Sequence, residues 1–299
     1  MRYKTIDGKQ FSHLVLGTNN YGTVLSEKES FEILDLFYSH GGRVIDTARL
    51  YTDGESEKIV GKWLKSNNLY DEVIIIVKGV YSDAGDPSRI TSKDLKEDIA
   101  LSQDALQLNS FDFYLYHRDD LTRTSKELIS LADDYLADGT IKNLGVSNWS
   151  AARIEEVASL VKMSEIQWSL AQTTPKLLND ESLVVMNEEE FKWYEQSQLP
   201  VLAYGSQAKG FFSKNIASLS EKSKSRFYHE HNITKRAKVE QLAIKKKCSI
   251  AAIALAYLLD NTLNAFPIIG ATKKEQLIDS LSVVDVELTK EEIAFLDGD

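Results

Sequence analysis

Four polar side chains in the first half of the chain have types that could act together on a carbonyl group. Asp46, Lys78 and His117 each follow a short run of β-branched or aromatic residues, and Tyr51 lies five positions after Asp46. A carboxylate and an ammonium buried side by side both keep their charge. An ammonium near a phenol favours the phenolate, so we expect Lys78 to lower the pKa of Tyr51 from about 10. Such a phenol can transfer a proton, and the imidazole of His117 can orient a carbonyl through a hydrogen bond.

Each of these residues also has a purely structural interpretation. Asp46 could cap a helix, Tyr51 could be a packed aromatic, Lys78 could be a solvated charge, and His117 could be a satisfied core histidine. The chemical interpretation is favoured if the runs that precede them are parallel strands of one sheet. All four side chains would then lie on the same rim.

Runs typical of buried strands do alternate with amphipathic, helix-like stretches along almost the whole chain. The predicted strands are His13–Gly17, Arg43–Asp46, Val73–Val77, Asp112–Tyr116, Asn143–Val146, Glu165–Trp168, Val201–Tyr204 and Phe266–Ile269. The predicted helices are Glu29–His40, Ser56–Leu64, Thr91–Leu108, Ser125–Ala137, Ser150–Val161, Glu188–Ser197, Lys235–Lys247, Ser249–Leu259, Lys274–Val284 and Lys290–Leu296. Strands and helices that alternate in this way predict a parallel sheet.

Eight such units without a linker predict an α/β protein with a single (β/α)8 TIM barrel domain over residues 1–299. The Asp7-Gly8 turn between two short strand-like runs predicts an N-terminal β-hairpin. The long polar segment 206–234 is expected to be an extra loop on the C-terminal face that folds over a ligand. A doubly wound open sheet is the alternative, but the sequence lacks the G-x-G-x-x-G fingerprint of such dinucleotide-binding folds.

The composition of the chain limits the kinds of partner and the cellular location that we expect. The chain has 299 residues and a net charge of −10, which argues against nucleic acid or an anionic membrane as the main partner. One cysteine, Cys248, and no apolar run of membrane-spanning length predict a cytoplasmic protein. The close histidine pair, His229 and His231, has no nearby cysteine, so we expect no metal ion. The oligomeric state stays open.

Several blocks of the sequence resemble the aldo-keto reductase family, and the similarity extends over nearly the whole chain. The block Gly139–Ser150, GTIKNLGVSNWS, is the most specific. The other matching blocks are Leu16–Asn19, Ile45–Tyr51, Gly54–Glu57, Val77–Lys78, Tyr114–Asp120, Leu202–Phe212 and Phe266–Thr272. The family is a (β/α)8 barrel that binds a nicotinamide dinucleotide without a Rossmann domain. The resemblance therefore implies NADP(H) as cofactor, with NAD(H) as an alternative, and a small carbonyl compound as substrate.

The resemblance also implies individual roles. Tyr51 would be the general acid, Lys78 with Asp46 would tune it, and His117 would orient the carbonyl. Ser147 and Asn148 would bind the carboxamide, and Tyr204 would stack on the nicotinamide ring. The residues implied to contact the cofactor are Gly17, Thr18, Asn19, Asp46, Ser147, Asn148, Gln167, Tyr204, Gly205, Ser206, Gln207, Ala208, Lys209, Gly210, Gly270, Ala271, Thr272, Lys273, Gln276, Asp279 and Ser280. Tyr21, Tyr81 and Trp149 follow strand ends and are expected to line the substrate pocket.

Some positions depart from the family pattern. The stretch from Ser164 to Leu170 should supply an amide to the carboxamide, and Gln167 is the first choice. An alignment shifted by two residues would place Glu165 there and would add charge near the ring. Asp279-Ser280 replaces the residue pair that usually contacts the adenine. Lys273 stands where many relatives have arginine, which contacts a phosphate more specifically than lysine does.

Three functions fit these residues. The first is an NADP(H)-dependent reductase of aldehydes or ketones. The second is a cofactor-binding regulatory subunit with little turnover. The third is a lyase that forms a Schiff base on Lys78, which an ion pair with Asp46 would oppose because it keeps the amine protonated.

Overall fold

Eight parallel strands close into a ring in the computed structural model, which describes residues 1–81 and 89–298. Each strand pairs with the next one along the chain, and the last pairs with the first. The strands are β3 (Val15–Gly17), β4 (Val44–Asp46), β5 (Ile74–Gly79), β6 (Phe113–Tyr116), β7 (Leu144–Ser147), β8 (Ser164–Gln167), β9 (Val201–Tyr204) and β10 (Ala265–Ile269). An antiparallel hairpin, β1 (Tyr3–Ile6) and β2 (Lys9–Ser12), precedes them. The expected (β/α)8 barrel with an N-terminal hairpin is confirmed.

Helices follow the strands on the outside of the ring. They are α1 (Glu27–Ser39), α2 (Glu55–Asn67), α3 (Ser92–Leu106), α4 (Ser125–Ile129), α5 (Asp133–Ala137), α6 (Ala151–Glu155), α7 (Pro175–Leu178), α8 (Glu188–Ser197), α9 (Glu221–Phe227), α10 (Glu230–Lys246), α11 (Ile250–Leu259), α12 (Lys274–Leu281) and α13 (Lys290–Asp297). None of the helices described here combines the length and the apolar character needed to cross a bilayer.

Two predicted helices are shorter than expected. Between Ser150 and Val161 only α6 is helical, because the backbone amide of Leu160 bonds three residues back, to Val157, in a series of turns. The stretch from Ser125 to Ala137 is divided into α4 and α5 by a short 3-10 turn.

The segment 206–234 is also different from the open loop that its polarity predicts. It contains α9 and the start of α10. The Asn232 amide ties it to the preceding strand connection, donating to the carbonyl of Gln172 at 2.8 Å and accepting from the Gln172 amide at 2.8 Å. Local hydrogen bonds of this kind satisfy the backbone that a long loop would leave unpaired.

Alternate residues of each strand fill the inside of the barrel, as the two-residue period of a strand requires. The inner cluster consists of Phe11, Val15, Val44, Ile74, Ile76, Phe113, Leu115, Met163, Leu202, Phe266 and Ile268. The residues between them, such as Ile75, Val77 and Tyr114, belong to the larger cluster formed with the helices. A side chain that lies an even number of residues from a known inward one therefore also points inward. A side chain that lies an odd number of residues away points toward the helices.

The N-terminal end of the barrel is filled by an aromatic cluster. Phe11, contributed by the hairpin, is completely buried and meets Phe113 and Phe266 edge to face, with ring centroids 5.8 and 4.9 Å away. His13 packs edge-on against Phe266 at 5.7 Å. Both His13 ring nitrogens are buried without a hydrogen-bond partner among the described residues.

Candidate active site

Three charged side chains meet at the C-terminal end of the barrel. The Lys78 ammonium donates to the Asp46 carboxylate and, at 2.9 Å, to Oε2 of Glu165. The exposed fractions of Lys78, Asp46 and Glu165 are 0, 2 and 3 %, respectively. The expected pairing of Asp46 with Lys78 is present, and Glu165 joins it as a second carboxylate that sequence analysis did not assign to Lys78.

Strand alternation explains why these side chains point inward. Ile74 and Ile76 of β5 face the barrel interior, so Lys78, two residues further, does so as well. Met163 also faces the interior, so Glu165 and Gln167, two and four residues further, point inward as well. Val44 leads to Asp46, and Phe113 with Leu115 leads to His117, by the same rule. The alternation in the sequence was the signal that could have placed Glu165 beside Lys78.

Tyr51 reaches this cluster from a tight turn rather than from a strand. It opens a 3-10 turn in which Thr52 and Asp53 both adopt left-handed backbone conformations, with φ of 55° and 52°. Arg49 holds the turn from inside by donating to the carbonyl of Asp53 and to the buried carboxylate of Glu57, each at 2.6 Å. These contacts fix the backbone at the position where Tyr51 leaves it.

The Tyr51 ring lies between the ammonium and the imidazole. Its centroid is 5.3 Å from Lys78 Nζ and 5.9 Å from the ring of His117. Two of the three Lys78 donors are taken by carboxylates, which leaves one for a further acceptor. The structure therefore brings all four residues of the predicted catalytic set together.

The pKa of Tyr51 differs from the prediction. Burial raises the pKa above that of free tyrosine, and the charges of Asp46 and Glu165 raise it further. Lys78 lowers the pKa as expected, but by less than the opposing effects together. The predicted net lowering is wrong, because the sequence does not show how far the phenol is removed from water. At neutral pH Tyr51 is therefore protonated.

The pKa values of the neighbouring groups are shifted as well. Burial alone would lower the pKa of Lys78, but Asp46 and Glu165 raise it above its ordinary value, so the ammonium stays charged. Burial raises the pKa of Asp46, Lys78 opposes this shift, and Glu165 adds to it. The pKa of His117 is lowered well below 6.5, first by burial and then by the charges of Lys78 and Arg118, so its imidazole is neutral.

A second group of polar side chains borders this cluster. Asn148, with φ of 59°, donates to Ser147 Oγ at 3.0 Å and accepts from the hydroxyl of Tyr204 at 2.7 Å. Ser147 Oγ lies 3.4 Å from Oε1 of Glu165. Of the two candidates for the amide position, Glu165 therefore touches Ser147, whereas Gln167 lies one layer closer to the rim, where its register partner is Tyr204.

Unsatisfied polar groups show that this end of the barrel can accept a polar ligand. Gln167 Nε2 and His117 Nδ1 are buried without a partner within residues 1–81 and 89–298. Buried polar atoms are normally hydrogen-bonded, so a ligand group is the expected partner. A side chain built at Gly270 would meet nothing within 4 Å, which leaves space along the rim. The residues present thus fit the nicotinamide cofactor that the resemblance implies.

The loop after β9 and the start of α12 form the remaining predicted cofactor contacts. Gly205 and Gly210 have φ of 66° and 81°, and Ala208 and Lys209 are left-handed as well, with φ of 47° and 55°. The hydroxyl of Ser206 donates to the carbonyl of Ile268 at 2.6 Å, which ties this loop to β10. Such turns present backbone amides to an anion.

Two side-chain contacts connect these segments to α12. Gln207 donates to the Ser280 hydroxyl at 3.0 Å, and Thr272 donates to the Gln276 amide oxygen at 3.0 Å through its backbone. Lys273 is exposed and forms no ion pair with the described residues, whereas Lys274 pairs with Glu32 at 3.0 Å. Gly270, Ala271 and Asp279 lie in the same region.

The cofactor contacts predicted at the end of β3 include one residue with a structural role. Thr18 is buried, and its hydroxyl donates to the carbonyl of Asp46 at 3.0 Å, which joins β3 to β4. Gly17 and the exposed Asn19 flank it.

The three expected substrate-pocket residues differ in exposure. Tyr81 is partly exposed and lies 5.3 Å from the His117 ring, with the Arg118 guanidinium 5.1 Å from its own ring. Tyr21 and Trp149 are 1 and 0 % exposed. The Trp149 indole donates to the carbonyl of Arg118 at 3.1 Å, so this ring supports the residue next to His117 and presents no surface of its own.

Comparison with known proteins agrees with the fold just described. Residues 13–298 match the model of the Aldo/keto reductase family. The (β/α)8 barrel described above is the fold that the resemblance to this family implies. The chain belongs to the aldo/keto reductase family, and the resemblance noted in its sequence is confirmed.

Curated relatives cover most of the chain. The chain is similar to norsolorinic acid reductase B of Dothistroma septosporum, with 28% identity over 94% of this chain and 76% of the relative. It is similar to versiconal hemiacetal acetate reductase of Aspergillus parasiticus, with 26% identity over 97% and 94% of the two chains. An aryl-alcohol dehydrogenase of Pestalotiopsis microspora is 25% identical over 90% of this chain and 71% of its own.

Solved structures share the fold. An aldo/keto reductase from Klebsiella pneumoniae, crystallised with NADP and acetate, has a TM-score of 0.75 at 22% identity and covers 99% of this chain and 95% of its own. A thermostable aldo-keto reductase in complex with the inhibitor epalrestat has a TM-score of 0.78 at 22% identity and covers 99% of both chains. At this level of identity the likeness shows the fold alone.

Proposed function

We propose that the protein reduces an aldehyde or ketone to the corresponding alcohol, with NADP(H) as its main cofactor and NAD(H) as a weaker one. One observation carries this proposal: a buried lysine, charged and held between two carboxylates, lies beside a tyrosine and a neutral histidine at the open end of the barrel. Family membership and the reductase names of the relatives support it. The bound cofactor would supply a hydride.

Each residue of the site has a role in proton transfer. Tyr51, which is protonated at neutral pH, gives its proton to the carbonyl oxygen. Lys78 stabilises the tyrosinate that remains, because its charge is fixed by Asp46 and Glu165. His117 is neutral and can donate a hydrogen bond to the carbonyl oxygen without competing for the proton.

The cofactor would be held by the residues that line the rim. Ser147, Asn148 and Gln167 would contact the carboxamide, and Tyr204 would stack on the ring. The left-handed turns of Gly205–Gly210 would face the pyrophosphate, and the start of α12 would face the adenosine phosphate. The free ammonium of Lys273 is the group that would favour NADP(H) over NAD(H).

A Schiff-base mechanism on Lys78 is disfavoured by the geometry. Attack on a carbonyl requires a neutral amine, and both carboxylates hold the Lys78 amine in its charged form. Borohydride in the presence of a carbonyl substrate should therefore leave no covalent adduct on the protein. A trapped adduct on Lys78 would overturn this interpretation.

A spectrophotometric screen separates the reductase from a regulatory subunit. Oxidation of NADPH and NADH is followed with a panel of aliphatic and aromatic aldehydes and ketones, and the alcohol is quantified. We expect repeated turnover with several compounds and formation of one alcohol per cofactor oxidised. Tight nucleotide binding without multiple turnover would instead indicate a cofactor-binding regulatory subunit.

The cellular compartment follows from weaker arguments. We propose a cytoplasmic location because the single cysteine, Cys248, has no partner for an internal disulfide.

A further inference from the structure

Glu165 helps to keep Lys78 charged, but the proposed proton transfer gives its carboxylate no role toward the cofactor. The family resemblance calls for an amide near the carboxamide, yet the structure places a buried carboxylate between Lys78 and Ser147. We propose that Glu165 makes the nicotinamide site selective for the oxidised cofactor over the reduced one. This inference rests on the proposed function, because it needs the nicotinamide to lie at this end of the barrel.

The buried cluster contains more carboxyl groups than cations. Lys78 contributes one positive charge, and the two carboxyl groups of Asp46 and Glu165 share it. His117 is neutral, so it adds nothing. With all three groups at most 3 % exposed, ionisation of both carboxyl groups would leave a net negative charge away from water, and burial together with Glu165 accordingly raises the pKa of Asp46 to about 8. Such a charge is unfavourable unless a cation or a proton comes close to it.

No other cation of the described residues neutralises the cluster. The closest candidate is Arg118, which also influences His117. Its guanidinium instead contacts the Ser182 hydroxyl at 3.2 Å and lies 3.6 Å from Asp180. Without a ligand, a proton on Asp46 supplies the compensating charge. A cationic ligand at the open end of the barrel could supply it instead.

Glu165 lies next to the residues that are proposed to hold the nicotinamide ring. Glu165 is in register with Ser147 of β7 on one side and with Leu202 of β9 on the other. It thus lies one layer below Tyr204, which is held by Asn148 at 2.7 Å. Ser147, Asn148 and Tyr204 are the proposed nicotinamide contacts, so Glu165 forms the floor beneath them.

The two cofactor forms differ in charge at this place. The oxidised nicotinamide ring carries one positive charge, and the reduced ring carries none. A buried carboxylate below the ring attracts the first form and not the second, because charges interact strongly where water is excluded. Carbonyl reduction would leave the bound cofactor in its oxidised, positively charged form near Glu165. The same interaction would therefore stabilise the products of reduction while they are bound.

Binding measurements on Glu165→Gln test this inference without turnover. Dissociation constants for NADP+ and NADPH are measured by protein fluorescence at one pH and one ionic strength. The amide keeps the size of the side chain and removes its charge. We expect the ratio of the NADP+ constant to the NADPH constant to rise about tenfold relative to the wild type, which corresponds to about 1.4 kcal/mol. An unchanged ratio would overturn the inference.

Two control variants separate the charge of Glu165 from its packing. Glu190→Gln removes another buried carboxylate, one that accepts from the backbone of Ala151, and should leave the ratio as in the wild type. Glu165→Asp keeps the charge and should retain most of the wild-type ratio. A ratio that rises equally in Glu165→Asp and Glu165→Gln would indicate lost packing rather than lost charge and would contradict the inference.

The wild-type protein keeps the test informative if Glu165→Gln does not fold. The inference requires the wild type to bind NADP+ more tightly than NADPH, and the opposite order would overturn it. Failure of the wild type to bind either nucleotide would refute the proposed function itself. Tight binding of both nucleotides, with NADPH bound at least as tightly as NADP+, would refute only the role of Glu165.

Discussion

A histidine lies at each end of the barrel, half-buried at the N-terminal end and buried at the C-terminal end, and the surroundings of the two rings differ. At the N-terminal end, His13 packs against Phe266, and its charged neighbours are Arg2 and Lys4. At the C-terminal end, His117 faces Tyr51 and Tyr81 near the charge of Lys78. Buried nitrogens without a partner among the described residues occur at both ends, but the first end is filled by aromatic rings, whereas the second holds the ion cluster of Lys78, Asp46 and Glu165. The comparison indicates that the N-terminal end serves the stability of the fold, whereas the C-terminal end serves a ligand.

The largest expected effect tests the C-terminal end. Tyr51→Phe should lower kcat by about 10²–10⁴-fold, because the phenol transfers a proton in the transition state. The ring remains in place, so the melting temperature and the NADPH dissociation constant should stay close to those of the wild type. Single-turnover kinetics gives the chemical rate, calorimetry the melting temperature, and fluorescence titration the dissociation constant. Wild-type turnover in this variant would remove Tyr51 from the proposed role.

The complementary substitution tests the N-terminal end. Phe11→Ala removes a completely buried ring from the aromatic cluster and should lower the free energy of unfolding by about 3–5 kcal/mol. The kcat of the folded fraction should not change, because the ring lies at the opposite end from Lys78. Urea unfolding gives the first quantity, and an assay at low temperature gives the second. A large loss of kcat without loss of stability would contradict the division between the two ends.

A smaller effect is expected at the rim of the C-terminal end. Lys273→Ala should raise KM for NADPH about tenfold, because a charge-assisted hydrogen bond to the 2′-phosphate would be lost. KM for NADH should stay nearly unchanged, and the NADPH advantage of the wild type should shrink as salt is added. Lys274→Ala is the matched control, since Lys274 already pairs with Glu32. Equal losses for both cofactors would show that Lys273 does not contact this phosphate.

The smallest effect concerns the pH dependence of stability at the N-terminal end. The pKa of His13 is lowered to about 4 from 6.5, mainly by burial and also by Lys4 and Arg2. Between these values the unfolded chain binds a proton that the folded chain excludes, so stability falls as the pH decreases from 6.5 toward 4. Partial exposure of the ring limits the loss to about 1 kcal/mol. His13→Gln should lose less stability over this range than the wild type, as urea unfolding at pH 7 and pH 5 can measure.

The sequence predicted the strands that carry the site better than the charges within it. Asp46, Lys78 and His117 lie at strand ends as expected, because hydrophobic runs mark buried strands and strand parity fixes side-chain direction. The pKa of Tyr51 was predicted in the wrong direction, because it depends on burial by distant parts of the chain. Glu165 was kept as an alternative at the amide position, and its contact with Lys78, 87 positions away, became visible only in the folded chain.

Loop geometry was the other part that the sequence could not supply. The left-handed turn at Thr52 and Asp53 contains no glycine at those positions, so local turn rules do not predict it. It depends on Arg49, whose guanidinium reaches both the turn and Glu57 of α2. The helix after Ser150 likewise ends at Glu155, earlier than the sequence pattern predicts.

The alternation of inward and outward residues along the strands also constrains how this chain can change in length. Removal of one residue from β5, such as Val77, would exchange the two faces at the end of the strand and turn Lys78 toward the helices. Removal of two residues would preserve the inward direction but shift the side chain along the barrel axis. Insertions and deletions are therefore tolerated in the connections between strands, and the strands that supply the reactive groups can evolve by substitution only.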